Sequence, residues 1–294
     1  MIVNPSAAGG RAALVLADVQ STLDRHGLVH RVQWSRSLVH AHELARRAAA
    51  AGEVAVAFGG DGLVGAIAHA LRDSDGIVGV LPGGRGNDFA RALGIPLEPC
   101  AACEVLATGV VRTLDLGAVG SNTFIGIASC GFDSDANRIA NETRLVRGNL
   151  VYAYGALRAL AAWKAATFTV RLDGGEGRTF RGYSVAAASS NAYGGGMWLA
   201  PDASLEDGLL DVVMIHDMPR MRFLRLLPTV FKGRHVRLPV VDVVRAREVE
   251  ISADRPFEVY ADGDPIARLP ATVRAVRGGA RVIVPASARD LGPR

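Results

Sequence analysis

The chain has 294 residues, 49% apolar and 21% charged, which excludes a disordered or fibrous protein and leaves room for one large or two ordinary domains. Lys plus Arg number 33 against 29 acids, a net charge of +4, and only Lys164 and Lys232 are lysines. The cations are therefore mostly guanidinium forks suited to phosphate rather than P-loop lysines, and so modest a charge with no recognition motif argues against nucleic acid as a partner.

The opening MIVNPSAAGG lacks the basic and apolar regions of a signal peptide, and no run of about 18 apolar residues follows, so no segment is expected to span a bilayer. Residues 12–26 carry Leu14, Leu16, Val19 and Leu23 at helical spacing, 31–34 reads as a short strand, and 38–51 as an Ala-rich helix. Val54 to Phe58 is a short apolar run cut off by Gly59-Gly60-Asp61-Gly62, the pattern of a buried strand entering a loop. Val64, Ile67, Ala68 and Leu71 then mark one face of a helix. The unit repeats: strand 77–81, glycine loop Pro82 to Asn87, and a helix opening at Asp88. Two successive strand–loop–helix units imply parallel neighbours with both loops at one edge of the sheet.

Cys100 and Cys103 have CxxC spacing without a second pair, so they read as small apolar residues on a helix; with Cys130 they point to a reducing, cytoplasmic setting. From about residue 112 strand-like segments dominate, at 123–129, 167–172, 179–188, 209–215, 247–251, 257–261, 272–276 and 281–284. Helical patterns near 137–165 and 218–233 interrupt them, and Gly194 to Gly196 reads as a turn. This second part is expected to be a mostly β domain.

A glycine loop between strand and helix suits phosphate, because glycine admits close approach and the helix start offers free N–H groups. Both loops here also carry an acid, Asp61 and Asp88, and carboxylates beside a phosphate cradle make sense with a cation between them. The pair therefore predicts Mg2+ with a nucleotide. Neither GxGxxG nor GxxxxGK[ST] occurs, which disfavours a dinucleotide fold and a Walker ATPase.

In order along the chain stand Asn4-Pro5 with Gly9-Gly10, Gly59-Gly60-Asp61-Gly62, Pro82 to Ala90 (PGGRGNDFA), Gly131-Phe132-Asp133, Asp207 to Asp211 (DGLLD) and Asp262-Gly263-Asp264. This series resembles the diacylglycerol kinase catalytic-domain family, which takes in bacterial soluble diacylglycerol and lipid kinases and, more distantly, sphingosine and ceramide kinases. The resemblance covers nearly the whole chain. It implies an α/β, NAD-kinase-like ATP-binding domain over 1–114, a β-sandwich lipid-substrate domain over 115–284, and a tail, 285–294, returning to the first domain. It also implies ATP as co-substrate, Mg2+ as metal and a lipid alcohol such as diacylglycerol as acceptor.

Residue by residue, the resemblance assigns Asn4, Pro5 and Gly9 to a first phosphate turn and Ser35 to the position of a threonine near adenosine. Gly59, Gly60, Asp61, Gly62, Leu63 and Gly65 form the main nucleotide loop and Arg85 and Asn87 the second. Asp61 and Asp88 organise the catalytic metal, Asp207 with Ser204 and Leu209 a structural Mg2+, and Asp264 is the general base. Three positions depart from the family pattern. Leu63 and Arg85 stand where threonines are usual, and Asp264 replaces a glutamate, one methylene shorter. Loss of two hydroxyl contacts leaves Arg85 as a charged phosphate contact, and a shorter base acts only on a substrate seated closer.

The basic, apolar stretch 218–237 and a weaker one at 144–164 fit either helices packed on a core or peripheral contact with an anionic membrane. A homodimer is compatible with this reading. Two rivals remain: a kinase of a soluble substrate, since NAD kinase also uses GGDG, and a non-catalytic regulator that binds lipid or nucleotide.

Overall fold

The computed structural model describes residues 1–142 and 150–288, apart from the side chains of 8, 11, 140–142, 150–154 and 156. Its strands in chain order are β1 (Ile2–Val3), β2 (Gln33–Trp34), β3 (Ala55–Gly59), β4 (Ile77–Pro82), β5 (Val110–Val119), β6 (Asn122–Phe124), β7 (Ile127–Gly131) and β8 (Ala166–Leu172). There follow β9 (Gly177–Ala188), β10 (Leu210–His216), β11 (Val241–Ala246), β12 (Glu248–Ala253), β13 (Glu258–Ala261), β14 (Asp264–Arg268) and β15 (Ala271–Val284). The helices are α1 (Arg11–Leu14), α2 (Leu16–Arg25), α3 (Leu38–Ala50), α4 (Asp61–Leu71), α5 (Asp88–Ala92), α6 (Pro99–Thr108), α7 (Phe132–Glu142), α8 (Leu150–Ala162) and α9 (Arg220–Val230).

Strands β2, β1, β3 and β4 lie side by side and parallel, as the repeated strand–loop–helix pattern requires. Gly59 pairs with Pro82 in register, so the two glycine loops leave the sheet as neighbours. The short apolar side chains of β3 and β4 are buried under α4, α3 and α6, and Phe58, Ile67 and Leu81 are fully enclosed there. Helix α3 starts at the Ser37 cap, whose hydroxyl accepts the His40 N–H, and α6 at Glu98, whose carboxylate accepts from Cys100 and Ala101.

The second half is antiparallel, in the order β14-β13-β7-β9-β8-β12-β15, with β10 and β11 continuing from β9. Its core is a separate apolar cluster in which Tyr183 stacks on Phe223 at 4.0 Å and Phe132 meets Trp163 edge-on at 5.7 Å. The parallel N-terminal sheet followed by a mostly β second half is the architecture the pattern implied.

Details differ for identifiable reasons. The helix expected over 12–26 breaks at Val15 into α1 and α2. The strands expected at 272–276 and 281–284 are one strand, β15, bulged between Val276 and Ala280 around Gly278, which sits at φ 64°. Beyond the bulge β15 pairs in parallel with β4, through Arg281 with Ile77 and Val282 with Val78, so residues 281–284 join the N-terminal sheet. Residue 115 lies inside β5, which pairs with β15 on both sides of that bulge. Of the tail, Ala288 packs on the N-terminal core and accepts a hydrogen bond from Arg112; residues 289–294, like Arg144 and Arg147, lie outside the described residues.

Candidate active site

Gly59 and Gly60 close β3, and the backbone of the second loop is laid directly across them. The Gly83 N–H donates to Gly59 O at 2.8 Å, and a Cβ on Gly84 would lie 2.4 Å from Gly60 Cα. Only glycine permits that approach. Asn87, left-handed at φ 52°, staples the loop with its side chain: Oδ1 accepts the Gly84 N–H at 2.9 Å and Nδ2 donates to Gly84 O at 3.1 Å.

Asp61 then ties the loops together. Its Oδ2 accepts the Asp88 N–H at 3.1 Å and its Oδ1 the Phe89 N–H at 3.0 Å, so the acid at the start of α4 caps α5 from outside. Asp88 is held from the other side, by the Gly195 N–H at 2.8 and 3.0 Å from its two oxygens. Gly86 lies over both carboxylates, since a Cβ there would be 3.3 Å from Asp61 Oδ2 and 3.2 Å from Asp88 Oδ2. Burial, reinforced by the Asp61 charge, raises the Asp88 carboxyl above its ordinary range, and the Gly195 and Gly196 amides offset part of that.

From the second half, the turn Asp262-Gly263 between β13 and β14 presents Asp264 to α4: a Cβ on Gly62 would lie 4.0 Å from Asp264 Oδ2. Desolvation by the surrounding protein raises Asp264, and it raises the neighbouring Asp262 to about 7. Asp61, Asp88 and Asp264 thus converge on the carboxyl-terminal edge of the parallel strands.

The remaining sequence-derived residues fall into four groups. Asn4 sits beside Gly59 at the end of β1, with its Oδ1 accepting the Ser6 N–H at 2.9 Å, and Pro5 and Gly9 continue that turn. Three positions turn away from the loops. Ser35 is buried with its hydroxyl on Val3 O, Leu63 is buried against Gly59, and Gly65 faces Ile125 and Asp262 across the interface with the second half. Arg85 is exposed on the rim. Ser204, Asp207 and Leu209 share one loop, in which Asp207 Oδ1 accepts the Leu209 N–H at 3.0 Å and Ser204 Oγ the Glu206 N–H at 3.2 Å.

Sequence reasoning missed Asp115, which pins that loop by accepting from Gly208 at 2.6 Å and from Gly278 at 2.7 Å. Its signal was a lone acid in the apolar run Leu114 to Val119. Sequence reasoning read Gly194 to Gly196 as a turn that could border a lipid cleft, and the structure shows a turn, closed by the Tyr193–Met197 bridge, whose Gly195 N–H donates to Asp88. Cys100 and Cys103 lie on α6, where burial pushes both thiols up, Cys103 to about 11, which favours the protonated, less reactive form.

The two loop acids fit Mg2+ by their chemistry: they are hard oxygen donors, each oxygen keeps a lone pair beyond its backbone contact, and Mg2+ needs only one or two carboxylates beside phosphate. Among the described residues no group of three or more His, Cys, Asp or Glu side chains is arranged to hold a metal ion, so a metal here would rest on the two loop carboxylates together with phosphate. A cavity of about 670 Å³ lies at the far end of α4, lined by Arg46, His69 and Arg72, away from these acids.

Residues 1–119 match the model for the diacylglycerol kinase catalytic domain, and residues 126–284 that for the YegS C-terminal NAD kinase beta sandwich-like domain. A diacylglycerol kinase of Mycobacterium tuberculosis H37Rv is 36% identical over 250 residues, spanning 83% of this chain and 81% of the relative. A Chromohalobacter salexigens protein named probable lipid kinase YegS-like is 32% identical, spanning 82% and 78%. A solved diacylglycerol kinase from Bacillus anthracis superposes with a TM-score of 0.75 at 19% identity, covering 98% of this chain and 97% of that one, and so shares the fold. With both halves matched by the paired models of one group of phosphotransferases, the chain belongs to the diacylglycerol kinase and YegS-like lipid kinase family.

Proposed function

We propose that this protein transfers the γ-phosphoryl group of ATP, with Mg2+, to the hydroxyl of a lipid alcohol, diacylglycerol foremost, and that residues 1–114 serve the nucleotide and 115–284 the lipid. The observation that carries the reading is the convergence of Asp61 and Asp88 under Gly86 with Asp264 against Gly62, three acids from two halves of the chain at one sheet edge. Asp61 and Asp88 would hold the metal, which when bound supplies positive charge between the phosphate oxygens. In this reading the start of α4 and the second glycine loop meet phosphate at that edge, and exposed Arg85 adds a guanidinium at its rim.

Asp264 acts as base. The acceptor oxygen forms its bond to the γ-phosphorus while the bond from that phosphorus to the ADP oxygen breaks, and the hydroxyl proton passes to the Asp264 carboxylate. The desolvation that raises Asp264 also strengthens it as an acceptor of that proton. Among the described residues no helix is long and apolar enough to cross a membrane. The test is Asp264→Asn, assayed with labelled ATP and diacylglycerol in mixed micelles. Turnover is expected to fall at least a hundredfold while ATP affinity stays within about twofold, on the scale of a lost general base. A variant as active as the parent removes Asp264 from the mechanism.

A further inference from the structure

Asp262, two residues before the base, takes no part in that reaction, yet it is the better anchored of the two. Its Oδ2 accepts the Ile125 N–H at 2.8 Å, and its Oδ1 lies 2.5 Å from where a Cβ on Gly126 would stand, so only glycine fits at 126. The segment it grips is fixed in turn, because Gly126 O accepts the N–H groups of Ser189 and Ser190 at 3.0 and 3.2 Å. Asp262 and Gly263 both occupy the left-handed region, at φ 51° and 95°, the backbone of a two-residue hairpin turn. Asp264, by contrast, has no side-chain hydrogen bond to another described residue and is placed through its backbone, which pairs with Ala261 across the turn.

The contact with α4 shows what the anchor achieves. Gly62 and Gly65 are one helical turn apart on one face, and the hairpin faces both: Asp264 Oδ2 stands 4.0 Å from a Cβ on Gly62, and Asp262 Oδ2 stands 3.8 Å from a Cβ on Gly65. We propose that Asp262 is a positioning residue, which ties the β13–β14 turn to the 125–127 backbone and so holds Asp264 against the glycine face of α4. This rests on the reading of Asp264 as the base. It also gives Gly126 a purpose, as the position whose missing side chain lets the Asp262 carboxylate in.

Asp262→Asn tests it, because asparagine tolerates the left-handed turn while putting an amide where a carboxylate oxygen received backbone N–H groups. Three results are expected: at least a tenfold lower kcat on diacylglycerol, a KM for ATP within about twofold of the parent, and faster amide exchange at 125–127. Combined with Asp264→Glu the two losses should fall short of multiplying, since both act through one carboxylate. A kcat within twofold of the parent, or losses that multiply in full, overturns the proposal. If the parent itself phosphorylates no lipid, the functional reading fails, and amide exchange still decides the anchor: unchanged protection at 125–127 and 261–264 overturns it. Should Asp262→Asn not fold, Asp262→Gly keeps the turn conformation without the carboxylate and carries the same expectations.

Discussion

Asp61 serves two purposes that a mutation can separate. As the cap of α5 it holds two backbone N–H groups, and as half of the acid pair it faces Asp88 under Gly86. Asp61→Ala should therefore cost about 1–2 kcal/mol of stability, a fall of several degrees in melting temperature, in addition to turnover. Asp264→Asn should lose turnover with almost no change in melting temperature; equal melts for both variants would contradict the capping role. Asp133 offers a pH test of a different kind. Burial raises its carboxyl from 3.8 to about 7, against the pull of a Ser184 hydrogen bond. A carboxyl raised in the folded state supports folding fully below about pH 4 and loses that support as pH climbs through about 7. Asp133→Asn should then raise the melting temperature more at pH 8 than at pH 5, and an equal gain at both contradicts the shift.

At the scale of elements, α9 illustrates what a pattern conveys and what it leaves open. Its sequence allowed a core helix or a membrane face, and the fold packs one side on the core and leaves a basic side with two large apolar residues exposed. Phe223, Leu226 and Val230 are buried, whereas Met221 and Phe231 are 62% and 55% exposed, alongside Arg222, Arg225 and Lys232. We expect this outer face to meet anionic lipid at about 1 kcal/mol per cation. Reversing Arg222, Arg225 and Lys232 to glutamate should weaken binding to phosphatidylglycerol-containing vesicles at least tenfold; undiminished co-sedimentation would show that α9 does not meet the membrane. Of the weaker stretch, Arg144 and Arg147 lie outside the described residues, and Trp163 at its end is buried beneath Arg255.

Across the whole molecule, the parallel layer was legible because its strands are short apolar runs cut by glycine, and because both loops repeat one pattern. The second half was legible only as strand-rich. Nothing in Ala271 to Val284 announces that one strand crosses a glycine bulge to finish beside β4, since that depends on partners 200 residues away in sequence. The site divides in the same way. Asp61 and Asp88 stand out as acids in glycine loops and Asp264 only through the family resemblance, whereas Asp262, Asp115 and Gly195 act through backbone contacts that no local spacing encodes. Leu63 is instructive: it stands where the family pattern has a threonine hydroxyl, and its aliphatic side chain is buried in the core beside Gly59.

The most direct test of the central claim is transfer of label from γ-labelled ATP with Mg2+ to a panel of diacylglycerol, ceramide, a sphingoid base, a phosphatidylinositol-type lipid and NAD, with Asp264→Ala alongside. A labelled lipid product that vanishes in the variant is the predicted result. Label in NAD alone, or ATP binding without transfer to any acceptor, would contradict it.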